Sequence, residues 1–286
     1  MLSTSNKILI ARYLSRVVLF VRGCLGLPAT VQVRRRGINW SLDLKDGVDF
    51  AIYLLGGFEV RTLDRYKELV RDGNIVLDIG ANVGSHTLPL AELVGGTGKV
   101  ISFEPTAHAF GKQKTNISLN PTLAQRIDAH QMMLMASASE TMPEAVYSSW
   151  PLEVAEDLHS EHHGRLMSTQ GARLNTLDET LRELGVDKVD FVKLDVDGNE
   201  LDVLLGARAT LEEFKPRIML ELAPYVYGEN PTNFDQLLKL LWESGYEIED
   251  VASESKLPED ASKVRAMIAE GGGMNVIAGN KNQKRM

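Results

Sequence analysis

Val76-Leu77-Asp78-Ile79-Gly80-Ala81-Asn82-Val83-Gly84 runs from a short apolar segment into a glycine-bearing turn, and its reading decides the fold. A brief apolar run bounded by turn residues predicts a buried strand over 74–79. Gly80 and Gly84 let the backbone approach a ligand where a side chain would collide. A helix follows to about Val94 and is ended by Gly95, Gly96 and Gly98, which tolerate the conformations beyond helix ends. Strand, glycine turn and helix in this order open a doubly wound sheet, whose ligands bind beyond the carboxyl ends of the strands.

Downstream, the alternation repeats. The pattern predicts a strand Lys99–Phe103, a helix Ala107–Leu119 stopped by Asn120-Pro121, a strand Arg126–His130 and a further short strand at Met133–Ala136. Glu140–Gly171 has few periodic hydrophobics and reads as a long irregular loop or lid. A helix Leu177–Leu184, a strand Phe191–Leu194, a helix from Glu200 to about Ala209, a strand Arg217–Leu222 and a helix Asn233–Ser244 come next. Tyr246–Val251 and Met274–Ala278 close the pattern as an antiparallel pair with no periodic helix between them, Gly271-Gly272-Gly273 being a flexible entry to the last strand. Upstream, Val31–Val33 and Ile38–Leu44 alternate around Gly37 as a hairpin, and Asp49–Leu55 and Leu63–Val70 read as helices. The whole is an α/β fold: a doubly wound, mostly parallel seven-stranded sheet with an N-terminal helix and hairpin extension. The extension is expected over 1–56 and the main domain over 57–286.

The 286 residues are 44% hydrophobic and 24% charged, ordinary for a globular domain with a sizeable core. Cys24 is the one cysteine, which rules out an intramolecular disulfide and a cysteine-rich metal site and suggests a reducing, cytoplasmic setting. The net charge of -8 argues against a nonspecific grip on nucleic acid, and Arg34-Arg35-Arg36 is read as a solvated turn. Ile8–Leu27 is apolar but interrupted by Arg12, Arg16 and Arg22, matching neither a membrane span nor a secretory signal. It reads as an amphipathic helix that packs on the domain, pairs with a second subunit in a homodimer, or lies peripherally on the inner face of a membrane.

A pyrophosphate-binding turn reads G-x-G-x-x-G, but here Asn82 and Ser85 stand at the second and third glycine positions. Asp78 places negative charge where a pyrophosphate would sit, and so suits a cationic ligand bearing an amino group and a sulfonium. Twenty residues beyond Gly84, Glu104 ends the second strand before Pro105, placed to accept hydrogen bonds from both hydroxyls of a ribose. Asp78, Gly80, Asn82, Gly84, Glu104 and Pro105 are thus candidate contacts for S-adenosylmethionine. An NAD-dependent oxidoreductase is the rival reading, since it shares the ribose acid.

Lys193, Asp195, Asp197 and Glu200 cluster around the end of one strand, and Glu221 ends the next. Lys193 and Asp195 alternate to one side. Moving a methyl to a hydroxyl requires the oxygen to lose its proton, either to a positioned base or with help from a divalent cation. Lys193, Asp195, His86 and Glu221 are the catalytic candidates. Asp195, Asp197 and Glu200 are oxygen donors of the kind Mg²⁺ prefers. The plain alternative is that these acids cap helices and Lys193 neutralises Asp195. His159, His162 and His163 read as surface residues, because neighbouring histidines rarely face one metal.

The sequence resembles the FkbM family of methyltransferases. The matching stretches are Gly57-Phe58-Glu59, Val76 through Thr87, Phe103-Glu104-Pro105, Asn116 with Asn120, Phe191 through Glu200, Gly206-Ala207 and the strand ending in Glu221. The resemblance implies a Rossmann-like class I methyltransferase using S-adenosylmethionine on hydroxyls of natural products or of sugars in glycans and glycolipids. It puts Asp78, Gly80, Asn82 and Glu104 at cofactor positions. Family members often carry Glu where this chain has Asp197, which keeps the carboxylate but shortens it by a methylene. A relative that has lost catalysis and binds a glycan or a partner protein is a further alternative.

Overall fold

A computed structural model describes residues 4–148, 151–152, 164–228 and 230–280. The chain enters through helix α1 (Thr4–Cys24), the hairpin β1 (Thr30–Arg35) and β2 (Ile38–Asp43), and helices α2 (Gly47–Leu55) and α3 (Val60–Leu69). The repeating unit then begins with β3 (Ile75–Ile79), α4 (Thr87–Leu93), β4 (Lys99–Phe103), α5 (Ala107–Ser118), the single turn α6 (Pro121–Ala124) and β5 (Ile127–His130). Short strands β6 (Met132–Leu134), β7 (Ala145–Ser148), β8 (Arg165–Ser168) and β9 (Arg173–Asn175) lie outside the main sheet. After α7 (Leu177–Glu183) come β10 (Phe191–Leu194), α8 (Glu200–Leu205), α9 (Arg208–Glu213) and β11 (Arg217–Leu222). The chain closes with α10 (Thr232–Glu243), β12 (Tyr246–Asp250), α11 (Ala261–Met267) and β13 (Met274–Asn280).

The seven-stranded sheet has the order β12-β13-β11-β10-β3-β4-β5. From β11 to β5 all neighbours run parallel, and β13 is antiparallel to both β11 and β12. The chain winds outward through β3, β4 and β5, then returns to lay β10 on the other side of β3. That reversal opens a crevice at the carboxyl tips of β3 and β10.

Strand alternation sorts the residues around this crevice. Leu77, Ile79, Ile101, Phe103, Val192, Leu194, Ile218 and Leu220 point to one face and join the largest core cluster with α7, α8 and α10. The other face carries Val76, Val100, Phe191 and Met219 against Tyr66 of α3 and Leu90 of α4. Period-two geometry places Asp78, Ser102, Lys193 and Glu221 on this second face. One polar residue per strand therefore gathers on a single side of the sheet, near its carboxyl edge.

A third cluster ties the extension to the domain. Ile38, Trp40, Leu42 and Phe50 pack with Val83 and Leu88, and Ala11, Leu14, Val18 and Leu19 of α1 lie against them. Two asparagines of the α5 end clamp the hairpin by its backbone. Asn116 accepts from the Ser41 amide at 2.8 Å and donates to the Val83 carbonyl at 3.0 Å. Asn120 accepts from the Asn39 amide at 2.9 Å and donates to the Asn39 carbonyl at 2.8 Å.

Four expectations change. Within Glu140–Gly171, β7 and β8 form an antiparallel hairpin; each is only four residues long and mostly half-exposed, so its pattern is faint. The helix expected from Glu200 divides at Gly206, where a β-carbon would stand 2.1 Å from the Met135 carbonyl oxygen. Helix α11 lies between the closing strands; with Val264 as its one buried residue it has no apolar periodicity to read. Arg34 and Arg35 belong to β1, and Arg36 alone takes the turn, at φ 47°. His159, His162 and His163 lie outside the described residues.

Candidate active site

Glycine at position 80 is required twice over. Its φ is 81°, and a β-carbon there would fall 1.7 Å from the backbone oxygen of Asp195. The tips of β3 and β10 are thereby pressed together at the crevice. Asn82, also left-handed at φ 48°, turns the chain so that its amide donates to Glu104 Oε2 at 2.9 Å. Glu104 Oε1 accepts from the Thr106 amide at 2.9 Å and its hydroxyl at 2.6 Å, and burial raises the pKa of this carboxyl.

Two cavities meet here. The larger, about 520 Å³, is lined by Gly80, Asn82, Glu104 and Pro105, by apolar Phe103, Met132 and Leu134, and by Tyr147 and Leu166 of the hairpin. The smaller, about 60 Å³, is lined by Phe58, Glu59, Ser85, His86, Lys193 and Glu221, among others. Gly80, Asn82, Asp195 and Asp197 line both.

Lys193 is buried, and its Nζ donates to Asp195 Oδ2 at 2.7 Å. Burial works to lower its pKa, but Asp195, Asp78 and Glu59 outweigh that and raise it, so the ammonium stays charged. His86 is neutral, because burial and then the Lys193 charge hold its pKa well below the usual value. Its Nδ1 lies 2.8 Å from the Tyr66 hydroxyl. Its Nε2 has no hydrogen-bond partner among the described residues and lies 3.9 Å from Glu59 Oε2. Burial first, and repulsion from Asp195 second, push Asp197 and Glu221 each up to about 8. Burial and Asp195 also raise Glu59. A cluster of acids this desolvated favours a proton or a cationic ligand among them.

The sequence-derived candidates divide accordingly. Gly80, Asn82, Glu104, Pro105, His86, Lys193, Asp195, Asp197 and Glu221 all line a cavity. Asp78 lines neither: it shares the face of Lys193 but is fully buried below it, accepting from Thr87 Oγ1 at 2.6 Å. Gly84 also sits behind the turn, at φ 88° and against Gln113. Glu200 folds back on its own loop, accepting from the Val196 and Gly198 amides, each at 3.2 Å, and from the Tyr227 hydroxyl. The trio Asp195, Asp197 and Glu200 therefore does not assemble as a metal cage, and no group of three ligating side chains converges among the described residues. Gly273 is more than a flexible entry, since a β-carbon there would meet Glu221 Oε1 at 1.7 Å. Glu59 carried no spacing signal of its own; it arrives from the start of α3, upstream of the first sheet strand.

The model of the FkbM methyltransferase domain matches residues 78–248, more than half of the chain and all of this crevice except Val48, Phe58 and Glu59. The chain belongs to the FkbM methyltransferase family. Membership of a methyltransferase family favours S-adenosylmethionine over the NAD-dependent reading. Among curated relatives, the AMB antimetabolite synthetase AmbE of Pseudomonas aeruginosa is 26% identical over 209 residues, 61% of this chain but 10% of AmbE. Methyltransferase sdnD of Sordaria araneosa is 25% identical over 171 residues, 51% of this chain and 65% of sdnD. The chain thus spans less than two thirds of either relative. The crystal structure of an FkbM methyltransferase from Methylobacillus flagellatus superposes with a TM-score of 0.44 at 17% identity, over 76% of this chain and 50% of that one.

The residues of this FkbM-family enzyme fit the cofactor. The larger cavity has the size of a small-molecule site. It combines an apolar wall that suits a purine, the Glu104 carboxylate that suits a ribose, and the Asp195 and Asp197 carboxylates that suit a positively charged group.

Proposed function

We propose that this enzyme methylates a hydroxyl group of a sugar, glycan or natural product. The observation that carries the reading is the shared wall: Gly80, Asn82, Asp195 and Asp197 face both cavities. In this reading the larger cavity takes S-adenosylmethionine and the smaller receives only the reacting hydroxyl end of the acceptor. The cofactor supplies an electrophilic methyl group when bound.

The chain's residues then perform the remaining work. A neutral alcohol is a poor nucleophile, and a positioned base contributes about 10²- to 10⁴-fold to such a reaction. Glu221 is the proton acceptor: it lies in the smaller cavity, and its pKa of about 8 matches the range in which a general base is effective. Lys193 stays protonated, so it holds Asp195 in place rather than taking the proton. The neutral His86 leaves Nε2 available to hydrogen-bond the acceptor.

The test is a comparison of glycans and small metabolites from cells with and without the gene by mass spectrometry, paired with calorimetry on the purified protein. The reading expects S-adenosylhomocysteine to bind and one compound to differ by the mass of a single CH₂ unit, located on oxygen by fragmentation. A methyl located on nitrogen or carbon would overturn the hydroxyl assignment.

A further inference from the structure

Helix α1 is apolar on two sides, and its own domain covers only one. Ala11, Leu14, Val18 and Leu19 pack against the hairpin cluster. On the opposite side Leu9, Tyr13 and Phe20 are 68%, 69% and 73% exposed, joined by exposed Ile10, Val17 and Val21. At helical spacing these side chains form one stripe, and Arg16 is the charged residue within it. Leu25 and Leu27 extend the exposed apolar surface past the helix end. A contiguous patch of this kind marks an interaction surface.

The distribution of charge identifies the partner. Residues 1–42 contain Lys7, Arg12, Arg16, Arg22, Arg34, Arg35 and Arg36, and no Asp or Glu. All 39 acids of the chain lie from Asp43 onward, so the extension is cationic on an otherwise strongly acidic molecule. A cationic helix with an exposed Leu, Tyr and Phe stripe matches a surface that is negative outside and apolar just beneath. The acidic body is repelled by the same surface, which orients the extension toward it. A second copy of the chain fits less well, because a two-fold pairing through this stripe sets Arg16 of each copy against the other.

We propose that the outer face of α1 docks on an anionic lipid bilayer, lying in its interface without crossing it. No described helix is long and apolar enough to span a membrane.

Co-sedimentation of the full chain with vesicles tests this, using phosphatidylcholine alone and phosphatidylcholine with roughly one third phosphatidylglycerol. The protein should sediment with the anionic vesicles, and be released by high salt. Arg16→Gln should weaken partitioning roughly fivefold, the effect of one interfacial cation. The double variant Tyr13→Glu with Phe20→Glu should abolish sedimentation while leaving the unfolding midpoint and S-adenosylhomocysteine binding unchanged, since both side chains are exposed. Equal sedimentation with neutral vesicles, or undiminished sedimentation of the double variant, overturns the proposal. So does a dimer in light scattering that ignores vesicles and becomes monomeric in the double variant, which would assign the stripe to a second copy.

Discussion

Gly80 is the residue at which the crevice is most sensitive. Gly80→Ala drives a methyl into the Asp195 carbonyl and forces a left-handed backbone on alanine, so the expected outcome is loss of the folded crevice. Circular dichroism and S-adenosylhomocysteine titration should both report it. Glu104→Gln is milder: it keeps shape but removes the charge facing the ribose, and should weaken cofactor-product binding about tenfold by calorimetry. Glu221→Gln should lower turnover by about 10²- to 10⁴-fold with cofactor affinity intact. In the parent enzyme the rate should rise with pH through about 8, as Glu221 loses its proton, and that limb should vanish in the variant. A parent rate independent of pH between 6 and 9 would remove Glu221 from the role (pH values set roughly by its pKa). At this scale the sequence was legible where a residue has a fixed place on a strand tip, as for Glu104, Asp195 and Glu221. It did not reveal the depth of Asp78, which shares the face of Lys193 but lies buried beneath it, because a place next to a ligand-binding turn does not say how far below the surface a carboxylate sits.

Among elements, the hairpin depends on α5 for its place. Asn116 and Asn120 meet the β2 backbone with three hydrogen bonds, Asn116 adds a fourth to the Val83 carbonyl, and both are buried. Asn120→Ala leaves the Asn39 amide and carbonyl without these partners, and should cost about 1–3 kcal/mol in chemical denaturation. Asn120→Asp should lose the donor side alone and fall in the same direction. The strands Lys99–Phe103, Phe191–Leu194 and Arg217–Leu222 were readable to the residue, since strands covered on both faces are nearly continuous apolar runs. The β7–β8 hairpin and α11 were not, because elements this short with little buried surface leave almost no hydrophobic pattern.

For the whole molecule, the carboxyls whose pKa the crevice raises couple stability to pH. Glu221 and, to a lesser extent, the more exposed Asp197 hold protons in the folded state up to about 8, whereas the unfolded chain releases them near 4. Their contribution is therefore complete below about pH 4 and declines as pH rises toward 8. Across that window Glu221→Gln should flatten part of the fall in unfolding midpoint, and a cationic ligand should stabilise more at the alkaline end. A parent midpoint that instead climbs steadily over the same window would show that other groups dominate. That the sheet is doubly wound and mostly parallel was legible, because strand and helix alternate along the chain, but the order of its strands was not. The crossing of β13 between β11 and β12 was legible only as an antiparallel pair.

The partition between the two chambers is a single layer, made by Gly80, Asn82, Asp195 and Asp197. In the proposed reading two guests would touch the same four residues, so filling one chamber should alter affinity in the other. Whatever filling one chamber does to affinity in the other must be returned in equal measure. The spent cofactor should accordingly act as more than a simple competitor: while it stays in place, the partition keeps the geometry that suits a methylated product, and departure of one should hasten departure of the other.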